Sequence, residues 1–168
     1  YCSAYFWSFG LDTVALRFGN VYGPGSGHKT SVVAKFIRKA MKGETLEIYG
    51  DGGQTRDFIY IADLVNAIRK AAETPDVGGE VFQIATNAET TVSRLVEKLV
   101  PTLDEAGIGP VDIRHEAPRV GDVRRNFSDT RKARDMLGWT AETKLSDGLR
   151  ETVSWFLELN RKNAASAA

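Results

Sequence analysis

Two short runs, residues 12–18 and 80–85, constrain this chain more than any other feature. Each is too short for a helix. Val14, Leu16 and Phe18 in one, and Val81, Phe82 and Ile84 in the other, mark buried strands. Apolar residues fall on both faces of each run, so both faces need cover, as in a sheet with helices on either side. Helical patterns separate these and other strand-like segments. Ser31 is placed to cap a helix whose apolar positions are Val33, Phe36, Ile37 and Met41, and Asp63 to cap another over residues 64–73. Thr90 or Thr91 opens a helix over 92–103, and two more helices are expected near 131–137 and 145–159. Further short strands are expected at 46–49, 57–61 and 111–115. The first nine residues carry aromatics at helical spacing and stop at Gly10, with neither an initiator Met nor a basic leader, so the chain reads as one entered mid-helix. Alternating strands and helices predict an α/β architecture. The strands are few and far apart, which makes the two apolar runs expected edge strands of a larger sheet.

Composition excludes several classes of function. The chain has 168 residues, 42% hydrophobic, with a net charge of zero, which describes one ordinary domain with a real core. Balanced charge gives no broad attraction to nucleic acid or to an anionic membrane, so any anion must be held by a few placed arginines. No apolar run is long enough to span a bilayer. One cysteine, Cys2, cannot form an internal disulfide, which points to a reducing, cytoplasmic setting. Cys2, His28 and His115 are too few and too scattered for a zinc centre, and no metal site is expected.

Three loops carry residues with chemical potential. Arg17-Phe18-Gly19-Asn20-Val21-Tyr22-Gly23-Pro24 ends a strand in a glycine-bearing loop, where open α/β sheets place ligands; Asn20 offers a donor and an acceptor there, or simply tolerates a left-handed turn. The following Gly23-Pro24-Gly25-Ser26-Gly27-His28-Lys29-Thr30 invites comparison with a P-loop, but His28 breaks the Gly-Lys-Thr succession which that motif requires. In Gly50-Asp51-Gly52-Gly53-Gln54-Thr55-Arg56-Asp57-Phe58, Arg56 lies between a turn and an apolar strand. Its guanidinium suits phosphate oxygens, or it is a surface charge paired with a neighbour such as Asp57. Arg119 and Asp122, three apart around Gly121, offer a phosphate ligand and an acceptor for a ribose diol, or belong to a solvated charged loop.

Together these segments, with Asp129-Thr130-Arg131-Lys132-Ala133 and Leu137-Gly138-Trp139, occur in an order and spacing that resemble the extended short-chain dehydrogenase/reductases, the NAD-dependent epimerases and dehydratases of nucleotide sugars. The UDP-glucose 4-epimerase branch is the nearest. The resemblance covers nearly the whole chain and implies the C-terminal, substrate-binding portion of an extended Rossmann-type enzyme over residues 1–168, bearing edge strands of a parallel sheet whose other strands are missing. It implies a UDP- or dTDP-sugar as ligand: Arg56 and Arg119 on the diphosphate, Asp122 on the ribose, Leu46 and Tyr49 beside the base, Asn20 near the sugar diphosphate, and Val33 touching the ligand. Phe18 and Gly19 would lie near the nicotinamide of NAD. Asp63, Asp129, Thr130 and the Leu137-Gly138-Trp139 turn would be structural. Val32 and Val33 stand where 4-epimerases often carry a polar pair, and Gln83 replaces a common Asn. The family's dinucleotide glycine motif and its Tyr-x-x-x-Lys pair are missing. No catalytic residue is therefore assigned, and the chain alone is expected to bind no cofactor and to be inactive. The alternatives are a stand-alone nucleotide-sugar-binding or regulatory module, or a remnant without an independent role. Open sheet edges predict a homo-oligomer.

Overall fold

The computed structural model describes residues 1–166 and shows strands and helices in alternation. In chain order they are α1 (Cys2–Phe9), β1 (Ala15–Phe18), β2 (Asn20–Tyr22), α2 (Val32–Met41), β3 (Leu46–Tyr49), β4 (Thr55–Arg56), β5 (Phe58–Tyr60), α3 (Ile61–Glu73), β6 (Val81–Ile84), β7 (Thr90–Thr91), α4 (Val92–Glu105), β8 (Ile113–Glu116), α5 (Arg131–Leu137) and α6 (Leu145–Ser166). The strands form four separate pairs: β1–β6, β2–β5 and β3–β8 are parallel, and β4–β7 is antiparallel. The α/β expectation holds, with strands a few residues shorter than their apolar runs.

Two apolar clusters hold these pieces. The first packs α2, α4 and α6 around β3, with Phe36, Ile37, Leu46, Leu99, Leu149 and Phe156 buried. Helix α4 shows why it forms: Val92, Leu95, Val96, Leu99 and Leu103 recur on one face, all are buried, and the Thr91 hydroxyl accepts from the Arg94 N–H at 3.0 Å. The second cluster gathers α3 and α5 over β6, with Phe82, Ile84, Leu137 and Trp139 at its centre. Strand β5 joins the clusters, giving Phe58 to the first and Ile59 to the second, because successive side chains point to opposite faces.

Two expected caps are different in the structure. Helix α3 begins at Ile61, so Asp63 lies in its first turn; its carboxylate accepts from the Glu142 and Thr143 N–H groups at 3.3 and 3.1 Å, tying down the connection between α5 and α6. Ser31 occupies the N-cap position of α2, but its hydroxyl makes no cap hydrogen bond and is buried without a partner.

Strands β1 and β6 bond only to each other among the described residues, so their outer edges are open. Beside them lie exposed aromatics: Trp7 is 79% exposed, Phe9 75% and Phe18 50%. Helix α1 buries no residue, and it is held by Phe6 on the Gly78–Gly79 turn, where an added Cβ would come within 2.2 Å of the ring. Unpaired edges beside an apolar surface favour association. The isolated chain is therefore expected to self-associate, giving a light-scattering mass above 18.4 kDa. A monodisperse monomer that binds no apolar dye would contradict this.

Candidate functional site

The site begins where the backbone steps from one strand pair to the next. Gly19 N–H donates to the Ile84 carbonyl and Asn20 N–H to the Asp57 carbonyl, so the chain leaves β6 for β5 within one residue. A Cβ at Gly19 would lie 2.8 Å from the Asp57 carbonyl oxygen and 3.2 Å from the Ala85 Cβ, which is why glycine stands there. This step projects Asn20 into a trough. Its amide makes no side-chain hydrogen bond among the described residues.

Three connected cavities make up the trough. One of about 410 Å³ is lined by Phe18, Gly19, Asn20, Ser31 and Val33. A second of about 500 Å³ shares Asn20 and Val32 with it and adds Tyr49, Arg56, Arg119 and Asp122. A third of about 360 Å³ continues past Tyr49 and Arg119 to Asp51 and Arg124. Of the nine residues singled out from the sequence, eight line this trough. The exception is Leu46, which is fully buried and sends its N–H to the Asp112 carbonyl. The trough instead receives Glu47 and Tyr49, the alternate positions of β3.

Arg56 does not pair with the adjacent Asp57. Asp57 is buried and accepts from the Thr86 N–H and hydroxyl at 2.8 and 2.6 Å. Arg56 instead donates to Asp122 at 2.5 Å and to the Val123 carbonyl at 2.6 Å. The Arg119 guanidinium lies 3.9 Å from the centre of the Tyr49 ring, a cation–π stack. Gln54 braces Tyr49, donating to its carbonyl at 3.0 Å. Lys35, Glu47 and Gln54 also face the second cavity, and sequence reasoning missed them.

Charged pairs strap the segment 118–127 over the trough. Arg124 donates to both Asp51 carboxylate oxygens at 2.8 and 3.0 Å, and Arg125 grips Glu89. The Arg124 hydrogen bond, then the Gly53 N–H, hold the Asp51 carboxyl well below its usual range; Arg125 lowers Glu89. Groups with depressed folded-state values stabilise the strap fully above their unfolded values and lose that contribution as pH falls through the folded ones. Acidification below about pH 4 is thus expected to weaken the strap progressively and to release the segment only as the depressed folded-state values are passed. Arg124 and Arg125 side-chain NMR signals should move toward random-coil positions there. Signals unchanged through this range would mean that the pairs do not hold the strap.

The comparisons with known proteins agree with this architecture. The family model for the NAD dependent epimerase/dehydratase family matches residues 1–85. The UDP-glucose 4-epimerase of Mycolicibacterium smegmatis is 33% identical over 150 residues, covering 88% of this chain and 46% of that protein. The crystal structure of the Thermotoga maritima UDP-glucose 4-epimerase with UDP-glucose matches with a TM-score of 0.83 at 35% identity, over 94% of this chain and 50% of that one. The Bacillus cereus UDP-glucuronic acid 4-epimerase, solved with UDP-glucuronic acid and NAD, matches with a TM-score of 0.82 at 28% identity, over 94% and 49%. The chain thus spans about half the length of the relatives it matches. Among the described residues no helix is long and apolar enough to cross a membrane, and no group of residues is placed to hold a metal ion. A matching α/β architecture and a family model that covers half of its residues place this chain in the NAD-dependent epimerase/dehydratase family.

Proposed function

We propose that residues 1–168 form the nucleotide-sugar-binding portion of an NAD-dependent sugar epimerase or dehydratase, with a UDP- or dTDP-sugar as ligand. The observation that carries this reading is the convergence of Arg56, Arg119, Asp122 and Tyr49 on one cavity. Two guanidiniums there suit a diphosphate, and a carboxylate suits a ribose diol. Strand β3 supports the pyrimidine base. Leu46 and Gly50 N–H groups bond to β8, so the parallel ladder leaves the Glu47 carbonyl and the Tyr49 N–H on the opposite edge. An acceptor beside a donor complements the N3–H and a carbonyl of uracil or thymine. The sugar would then extend past Asn20 toward Val33, with Phe18 and Gly19 at the far end.

The described residues do not by themselves fit a dinucleotide. They hold no Gly-x-Gly-x-x-Gly fingerprint, and the space left by Gly19 is filled by the chain's own Asp57 and Ala85. Calorimetric titration of UDP-glucose into the chain tests the proposal. Saturable binding at one site is expected. No heat and no competition by UDP at millimolar concentration would refute it.

A further inference from the structure

The charges lining the trough single out a residue that no loop motif marks. The cavity of about 500 Å³ is bordered by three cations, Lys35, Arg56 and Arg119, and two carboxylates, Glu47 and Asp122. Asp122 already has Arg56. Glu47 has a closer partner than Lys35: Lys39, one helical turn further along α2, reaches it at 3.1 Å and is only 19% exposed. Arg114 stands 4.0 Å away on its other side. Lys35 approaches Glu47 at a longer 3.5 Å, with its ammonium 5.6 Å from the centre of the Tyr49 ring. Withdrawing Lys35 would therefore leave Glu47 with its closer partner, Lys39. With Glu47 assigned to Lys39, the cavity wall has two more positive charges than negative ones, which matches the two ionised oxygens of a nucleotide-sugar diphosphate.

We infer that Lys35 is a further diphosphate-binding residue. Its ammonium leaves Glu47 to Lys39 and moves onto a phosphate oxygen beside Arg56 and Arg119. The geometry allows this, since Lys35 lies in the first turn of α2, on the same cavity wall as Thr30 and Val32, while Ala34, Ile37 and Ala40 turn into the core. A compact ammonium on a flexible stem is suited to changing partners in this way, and it seeks the anion rather than the base. The inference rests on the nucleotide-sugar reading above.

The test uses the 168-residue chain, its Lys35→Met and Lys35→Arg variants, and two probes, UDP and uridine, titrated by NMR chemical shift. Lys35→Met should weaken UDP roughly tenfold or more, the scale of a lost hydrogen bond to a charged group. It should leave uridine within about twofold, since Lys35 acts on the phosphates. Lys35→Arg should recover most of the UDP affinity. A wild-type chain that binds neither probe would sink the nucleotide reading itself. If the wild-type chain binds UDP and Lys35→Met binds it equally well, that reading stands and the role of Lys35 is overturned. Equal loss for UDP and uridine would also overturn it, since Lys35 would then be shaping the base end.

Discussion

Trp139→Ala should lower the stability of the chain by about 3–5 kcal/mol, the range for deleting a large buried aromatic. Trp139 is 1% exposed and packs with Leu64, Ala67 and Leu137. Its indole N–H donates to the Asp63 carbonyl at 3.1 Å, so the substitution also removes a buried hydrogen bond. Gly138, in the left-handed conformation at φ 57°, ends α5 and turns the ring under α3. Domains of this size are stable by only about 5–15 kcal/mol, so the variant should be marginal and its urea midpoint sharply lowered. A loss under about 1 kcal/mol would mean that this cluster does not hold α3 and α5 together.

The second large effect is on binding. Arg56→Ala is expected to weaken UDP-sugar binding by about 1.5–3 kcal/mol, the scale of a hydrogen bond to a charged group. Arg56 is poised for this because Thr55, Val123 and Asp122 fix its guanidinium at the cavity wall with its side chain 17% exposed. A ligand phosphate would compete for a fork that is already oriented, so little side-chain entropy remains to be lost. The substitution also leaves Asp122 as an unpaired carboxylate beside the diphosphate, which works in the same direction. Equal affinity of variant and wild type by calorimetry would reduce Arg56 to a clamp for the strap. Arg119→Ala gives the parallel measurement, with the Tyr49 stack lost as well.

How far the sequence revealed these features depends on how local the deciding contact is. Runs 12–18 and 80–85 were legible as strands because β-branched and aromatic residues on both faces need double cover. Their parallel pairing, Ala15 beside Val81 through Phe18 beside Ile84, was not, because it is set by α3 lying between them in the chain and packing back on the sheet. Asp63 looked like a cap because it precedes an apolar run. Its carboxylate in fact answers to Glu142 and Thr143, some eighty residues on, which no local pattern reports. Arg56 beside Asp57 illustrates the same limit: adjacent residues on an extended strand point to opposite sides, which sent Asp57 to Thr86 and Arg56 to Asp122. Leu46 lies off the trough for a related reason: alternation gives Leu46 and Ile48 to the core and Glu47 and Tyr49 to the trough. Lys35 had no signal, since a lysine in the first turn of an amphipathic helix looks like any solvated residue until the cavity beside it is seen.

The central claim is that Asn20, Tyr49, Arg56, Arg119 and Asp122 form one nucleotide-binding surface. Backbone amide NMR of the isotope-labelled 168-residue chain, titrated with UDP, addresses it directly. The expected result is a saturable set of shifts centred on β3, the Gly19–Asn20 step and residues 118–124, with the Tyr49 N–H among the largest because the proposal sets it against the base. Shifts scattered over the surface, or confined to segments away from the trough, would contradict it.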